Sequence, residues 1–76
     1  MNVTMPLNQV KVESVAFVQK VNIKGALGAR LRDLGFVSGA RVEPLFSGGG
    51  IRAYALCGTV IALRDADAAR VEVTHE

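Results

Sequence analysis

Few side chains in this 76-residue chain are of types that do chemistry, and their spacing limits what they could do. Cys57 is the single thiol and His75 the single imidazole. A structural zinc site takes about four ligands and a catalytic one about three, so the two fall short of either. Nucleophilic catalysis by Cys57 would require His75 to fold back from the penultimate position and serve as the base. Asp65 and Asp67 flank Ala66, and on a helical turn residues two apart do not face each other, so they read as helix-capping groups and not as paired carboxylates. Glu13, Glu43 and Glu72 are scattered, with no spacing that makes them converge on a cation. Gly48-Gly49-Gly50 has the composition of a phosphate cradle, but no Gly-Lys-Ser/Thr follows and Ile51-Arg52 opens a strand, so the run reads as a turn. The expectation is a protein that is not an enzyme, with no cofactor and no metal site.

The remaining polar group is basic: Lys20, Lys24, Arg30, Arg32 and Arg41 lie close in sequence. As a solvated face they would keep a small protein soluble. Set beside an apolar patch they would form the arginine-plus-aromatic combination that partner surfaces enrich, and Arg30, Arg32, Phe36, Val37, Phe46 and Ile51 are the candidate partner-binding residues on that reading. Nine basic against seven acidic residues give a net charge of +2. That lacks the dense basic stripe of a nucleic-acid binder, so nucleic acid is not expected as a partner. A small barrel that binds another protein or nucleic acid through its basic helix face remains the alternative function. Direct sensing of a metal ion is a third, resting only on His75, Cys57 and the scattered carboxylates.

The elements that must position these residues follow from the leucines and glycines. Leu27, Leu31 and Leu34 recur at i, i+4 and i+7, which predicts a helix from about Gly25 to Leu34 anchored by all three. Asn22 is the best cap candidate, Gly35 the residue that tolerates the positive φ of a helix end, and Gly39 the punctuation of the next turn. Gly25 and Gly28 weaken the helix by up to about 1 kcal/mol each. Either packing holds it or its glycines admit a close backbone approach, and the sequence leaves both open.

Before the helix, Met1 to Pro6 is expected to be a loose arm. Leu7 to Val21 reads as β, although Val15-Ala16-Phe17-Val18 breaks the alternation and suggests a strand buried on both sides or two strands meeting at a bend. After Gly39, four segments read as strands: Arg41 to Phe46, Ile51 to Leu56, Thr59 to Arg64 and Arg70 to Thr74. Cys57-Gly58 is short enough for a tight hairpin turn, and Asp65 could cap one helical turn through Ala69. Five or six short strands with one inserted helix predict a mainly β, SH3-like small barrel, closed on itself so that no edge is exposed.

Half the residues are hydrophobic but only 5% are aromatic, so the core must be built from Val, Leu, Ile and Ala. A domain of this size buries only about 60% of its unfolded surface, and 76 residues leave room for one. A lone cysteine excludes an intrachain disulfide and points to a reducing compartment. No basic n-region opens the chain, and no apolar run approaches the roughly 18 residues of a membrane helix, so a soluble cytoplasmic protein is expected.

Several short motifs taken in order carry a resemblance. Leu31-Arg32-Asp33-Leu34-Gly35-Phe36-Val37-Ser38-Gly39, then Pro44, Gly49-Gly50-Ile51, Val60-Ile61-Ala62-Leu63-Arg64, and Ala68 or Ala69 before Val71-Glu72-Val73 resemble the FeoA-type domain, the ferrous iron transport protein A family. The resemblance extends over roughly Leu7 to Val73. It implies a cytoplasmic SH3-like barrel that is an accessory or regulatory partner, not an enzyme, of FeoB, the membrane ferrous iron transporter with a GTP-binding cytoplasmic portion. Recruitment to the inner face of the membrane and weak homo-oligomerisation are further expectations. A related barrel is appended to iron-dependent repressors, but this chain shows no DNA-binding helices. Three positions depart from the family's pattern: Ser38 replaces a usual proline, Gly49-Gly50 a common acidic residue and proline, and Glu13 a common glycine.

Overall fold

From Gly25 onward the chain folds much as its sequence predicts, whereas the stretch before it does not. The computed structural model describes residues 3–75. Strand β1 (Val3–Pro6) leads through a 3-10 turn at Leu7–Gln9 to β2 (Ala16–Val21), helix α1 (Gly25–Leu34), β3 (Arg41–Gly48), β4 (Ile51–Leu56), β5 (Thr59–Arg64), the single turn α2 (Asp65–Ala68) and β6 (Val71–His75). The six strands form one antiparallel sheet in the order β1-β6-β2-β3-β4-β5.

Two expectations for the N-terminal part are corrected. The arm expected over Met1 to Pro6 is, within the described residues, strand β1, which pairs with β6 from Val3 opposite His75 to Pro6 opposite Glu72. An edge strand tolerates a proline at its end, where the missing N–H need not serve a ladder. Met1 and Asn2 lie outside the described residues. Leu7 to Val21 is not one β segment, because Glu13 takes a left-handed φ of 72° and turns the chain before β2. Its N–H donates to the Pro44 carbonyl at 3.1 Å. A left-handed φ suits glycine at no steric cost, so Glu13 holds a conformation that residues with a side chain rarely adopt.

Helix α1 has the expected bounds and the expected stop. Gly35 is left-handed at φ 118°, its N–H donates to Arg32 O, and the next N–H, that of Phe36, reaches back to Leu31 O at 3.0 Å. These two bonds are those of a Schellman cap, and the accompanying apolar contact comes from Phe36 and Leu31, both buried in the core. The start differs from expectation. Lys24 occupies the cap position without a side-chain bond. Asn22 instead pairs with the loop before β6: its N–H donates to Arg70 O, and its carbonyl accepts from Arg70 Nε.

The apolar stripe is also rotated. Only Leu31 is buried, while Leu27 and Leu34 are 38% and 37% exposed. The buried line of α1 runs through Gly28 and Leu31. A Cβ on Gly28 would clash with the Ile23 carbonyl oxygen, so this glycine supplies the close backbone approach.

The inner face of the sheet packs Val18, Val21, Val42, Tyr54, Leu56, Leu63, Val71 and Val73 into one core with Leu7, Leu31 and Phe36. Among the described residues hydrogen bonding does not close the barrel, contrary to expectation: β1 and β5 end the strand order and no ladder joins them. The hairpin turns are tight. Cys57 and Gly58, at φ 51° and 77°, and Gly49 and Gly50, at 60° and 80°, each fill a two-residue turn with the two positive φ values of type I′.

Two substitutions test this account by urea denaturation. In most helices Gly→Ala stabilises, but Gly28→Ala is expected to destabilise by about 1–3 kcal/mol through the clash with Ile23. Ser38→Pro is expected to stabilise by about 0.4–1 kcal/mol, because Ser38 precedes a left-handed Gly39 in a turn closed by Ala40 N–H on Val37 O, the type II arrangement that favours proline.

Candidate interaction surface

The outer face of β3, β4 and β5 can be read row by row from strand register, because directly opposed residues share a face. One row is Glu43, Ala55, Val60; the next is Phe46, Ala53, Ala62; the last is Gly48, Ile51, Arg64. Phe46 is 65% exposed, Val60 61% and Ile51 43%. Ala53, in the middle, is buried yet lies outside the inner core cluster. The face is thus apolar and small at its centre, with Glu43 and Arg64 at opposite corners.

A β-bulge makes this face. Val42 and Pro44 point inward, opposite Leu56 and Tyr54, so simple alternation would send Phe46 inward as well. The register shifts between Pro44 and Phe46, leaving Leu45 as the extra residue, and Phe46 emerges opposite Ala53. An inserted residue exchanges the two faces of everything after it.

The six candidate residues therefore separate. Phe46 and Ile51 share the outer sheet face. Arg30 is exposed on α1, on the flank with Leu27 and Leu34, where these residues and Leu31 face Thr59, Val60, Ile61, Ala62 and Leu63 across a cleft of about 330 Å³. Arg32 lies on the other flank, its guanidinium donating to the Val21 and Ile23 carbonyls at 3.3 and 3.5 Å and holding the helix start to the end of β2. Val37 is 51% exposed beyond the Schellman cap, and a cavity lined by Val18, Lys20, Arg32 and Ser38 includes it and Phe36. Phe36 itself is a correction: it is 1% exposed, because the cap that reverses the chain at Gly35 turns its ring into the core beside Leu31. Sequence reasoning passed over Val60 and the flanking roles of Leu27 and Leu34. The available signal was β5 itself, whose Val60 and Ala62 make its second face apolar too.

A polar corner closes one end of β4. Arg52 Nε bonds the Asp65 carboxylate, which also accepts from Asn8 Nδ2 at 3.4 Å. Asp65 thus anchors β4 to α2 and does not cap, and Arg64 holds the cap position of α2. The bond from Arg52, aided by that from Asn8, holds the Asp65 carboxyl below the usual carboxylate range. Burial pushes the Tyr54 phenol up to about 12, against the opposing pull of Arg52. Among the described residues, no three of His, Cys, Asp and Glu gather closely enough to hold a metal ion. Cys57 is an exposed turn residue whose Sγ packs against Gly35, and His75 pairs in β6 opposite Val3 and Ala16.

The fold is that of a small SH3-like domain, six antiparallel strands in one sheet with one short helix. The sequence model of the FeoA domain matches residues 5–75, and the chain belongs to the FeoA family. A search of curated proteins found no match. Among solved structures, the FeoA protein of Chlorobium tepidum is 27% identical with a TM-score of 0.88, covering 93% of this chain and 70% of its own. FeoA of Stenotrophomonas maltophilia, solved with zinc, is 33% identical with a TM-score of 0.76, covering 96% of this chain and 88% of its own. It is described as a prokaryotic SH3 domain protein and a candidate activating factor of bacterial ferrous iron transport. The IdeR protein of T. acidophilum shares the fold at 15% identity and a TM-score of 0.82, with 97% of this chain matching 35% of that one.

The polar corner carries a pH dependence of known sign. A carboxyl held below its unfolded pKa contributes stability that is present above about pH 4 and is lost as pH falls through the folded value. Urea midpoints measured from pH 6 downward are expected to fall below about pH 4, and Asp65→Asn should flatten that part of the profile. An unchanged profile in the variant would show that Arg52 and Asp65 are not coupled.

Proposed function

We propose that this chain is a non-enzymatic accessory protein of ferrous iron uptake, working in the cytoplasm and docking on the cytoplasmic part of the membrane ferrous iron transporter, FeoB. Membership of the FeoA family supports the process, as does the description of the Stenotrophomonas maltophilia relative as a candidate activating factor. The observation that carries docking is the outer sheet face, where Phe46, Ile51 and Val60 stand exposed on rigid strands around small alanines. Full burial of each such side chain in a complex is worth about 1.5–3 kcal/mol, and anchors of this kind dominate interface energies. Among the described residues, no helix is long and apolar enough to cross a membrane. The charges favour this over nucleic acid, since Arg32 is engaged by backbone carbonyls and Arg41 lies 3.9 Å from Glu43.

Deleting the gene is expected to lower uptake of labelled ferrous iron, with recovery on supplying the unmodified chain. Phe46→Asp should fail to restore it while keeping the native melting temperature, and should weaken capture of the transporter from detergent-solubilised membranes by about 2 kcal/mol, roughly thirtyfold in Kd. Unchanged uptake in the deletion strain would overturn the proposal.

A further inference from the structure

We infer that the cleft between α1 and the free edge of β5 takes an extended peptide segment of a protein partner, added to the sheet as a further strand with an acidic side chain set against Arg30. Three observations meet there. First, β5 ends the sheet, and no backbone hydrogen bond from outside its hairpin reaches Thr59 to Arg64 among the described residues. Cys57 and Gly58 form a type I′ turn, so Leu56 and Thr59 are the hydrogen-bonded closing pair. Alternation along the ladder then directs the amides of Val60, Ala62 and Arg64 away from β4 and towards the cleft. An exposed apolar edge of this kind is a template for another strand.

Second, the opposite wall is a helix flank at a distance that leaves an open groove. Leu27, Arg30 and Leu34, all exposed, line that wall with Leu31 and face Thr59 to Leu63 across the cleft. A strand laid between a sheet edge and a helix gains backbone bonds on one side and apolar contact on the other. Third, Arg30 is the single charged residue lining the cleft. The ion pairs among the described residues are Arg41 with Glu43 and Arg52 with Asp65, so Arg30 has no carboxylate partner among them. A groove that is otherwise apolar and holds one uncompensated cation selects a segment with one acidic residue among apolar ones.

This inference rests on the docking reading only in taking the partner to be a protein, and its test needs no transporter. The isotope-labelled full chain would be titrated, with amide shifts and hydrogen exchange as readout, against a blocked hexapeptide of alternating valine and threonine with aspartate at its second position. Two controls replace that aspartate by lysine or carry N-methyl groups on alternate peptide bonds. The expected result is shifts and exchange protection at Val60, Ala62 and Arg64, binding of the aspartate peptide about tenfold tighter than the lysine peptide, and no binding of the methylated one. Arg30→Glu, a change at an exposed position, should invert the order of the two charged peptides. Equal affinities for aspartate and lysine, undiminished binding of the methylated peptide, shifts centred elsewhere, or absence of binding would overturn the inference. So would protection of β5 that rises with protein concentration alone, which would assign the cleft to a second copy of the chain. Loss of iron uptake on deletion together with absence of peptide binding would remove this inference and leave the docking reading standing.

Discussion

The contact on which the rest of the arrangement depends is the meeting of Gly28 with the Ile23 backbone. There is no room for a side chain between them. Arg32 tightens the same junction by donating to the Val21 and Ile23 carbonyls from the next turn of the helix. With the helix start held there, Leu31 enters the core, Gly35 lies against Cys57 of the β4-β5 turn, and the flank bearing Leu27, Arg30 and Leu34 faces β5. A larger residue at position 28 would clash with the Ile23 carbonyl.

The second constraint is the bulge at Leu45. Domains of this size expose little apolar surface that they can bury, because each core side chain contributes about 1.5–3 kcal/mol against a large ordering cost. Here a phenylalanine that alternation would have sent to the core stands 65% exposed instead. That placement forgoes core burial and adds a large anchor to a face already made apolar by Ile51 and Val60, an expense that binding to another protein would recover. Tyr54 and Phe36 supply the aromatic volume the core keeps.

Charge is distributed to fit. The start of β4 is tied to α2 by Arg52, Asp65 and Asn8, while Arg30 and Arg64 stay exposed beside apolar surface. The basic residues that cluster in sequence thus serve separate ends: one stitches a helix to a strand, one neighbours a glutamate, and one lines a cleft.

Local chemistry was legible from the sequence alone where it decides structure. Gly35 stops α1 because a positive φ excludes most side chains, the paired-strand segments from Ile51 to Arg64 follow from apolar runs bounded by turn residues, and the order of the motifs identified the family. Glu13 was legible only as a departure from a usual glycine, and its left-handed φ is seen in the structure alone. Tertiary structure decided the faces. Helical spacing puts Leu27, Leu31 and Leu34 on one stripe but cannot show that the buried line is centred on Gly28 and Leu31, since that depends on how closely a second backbone approaches. Strand alternation cannot locate a bulge, so Phe46 could be named as a candidate and not placed, and Phe36, named beside it, could not be seen to turn inward with the cap. The edges of the sheet were likewise set by strand order, a property of long-range pairing that no local pattern encodes.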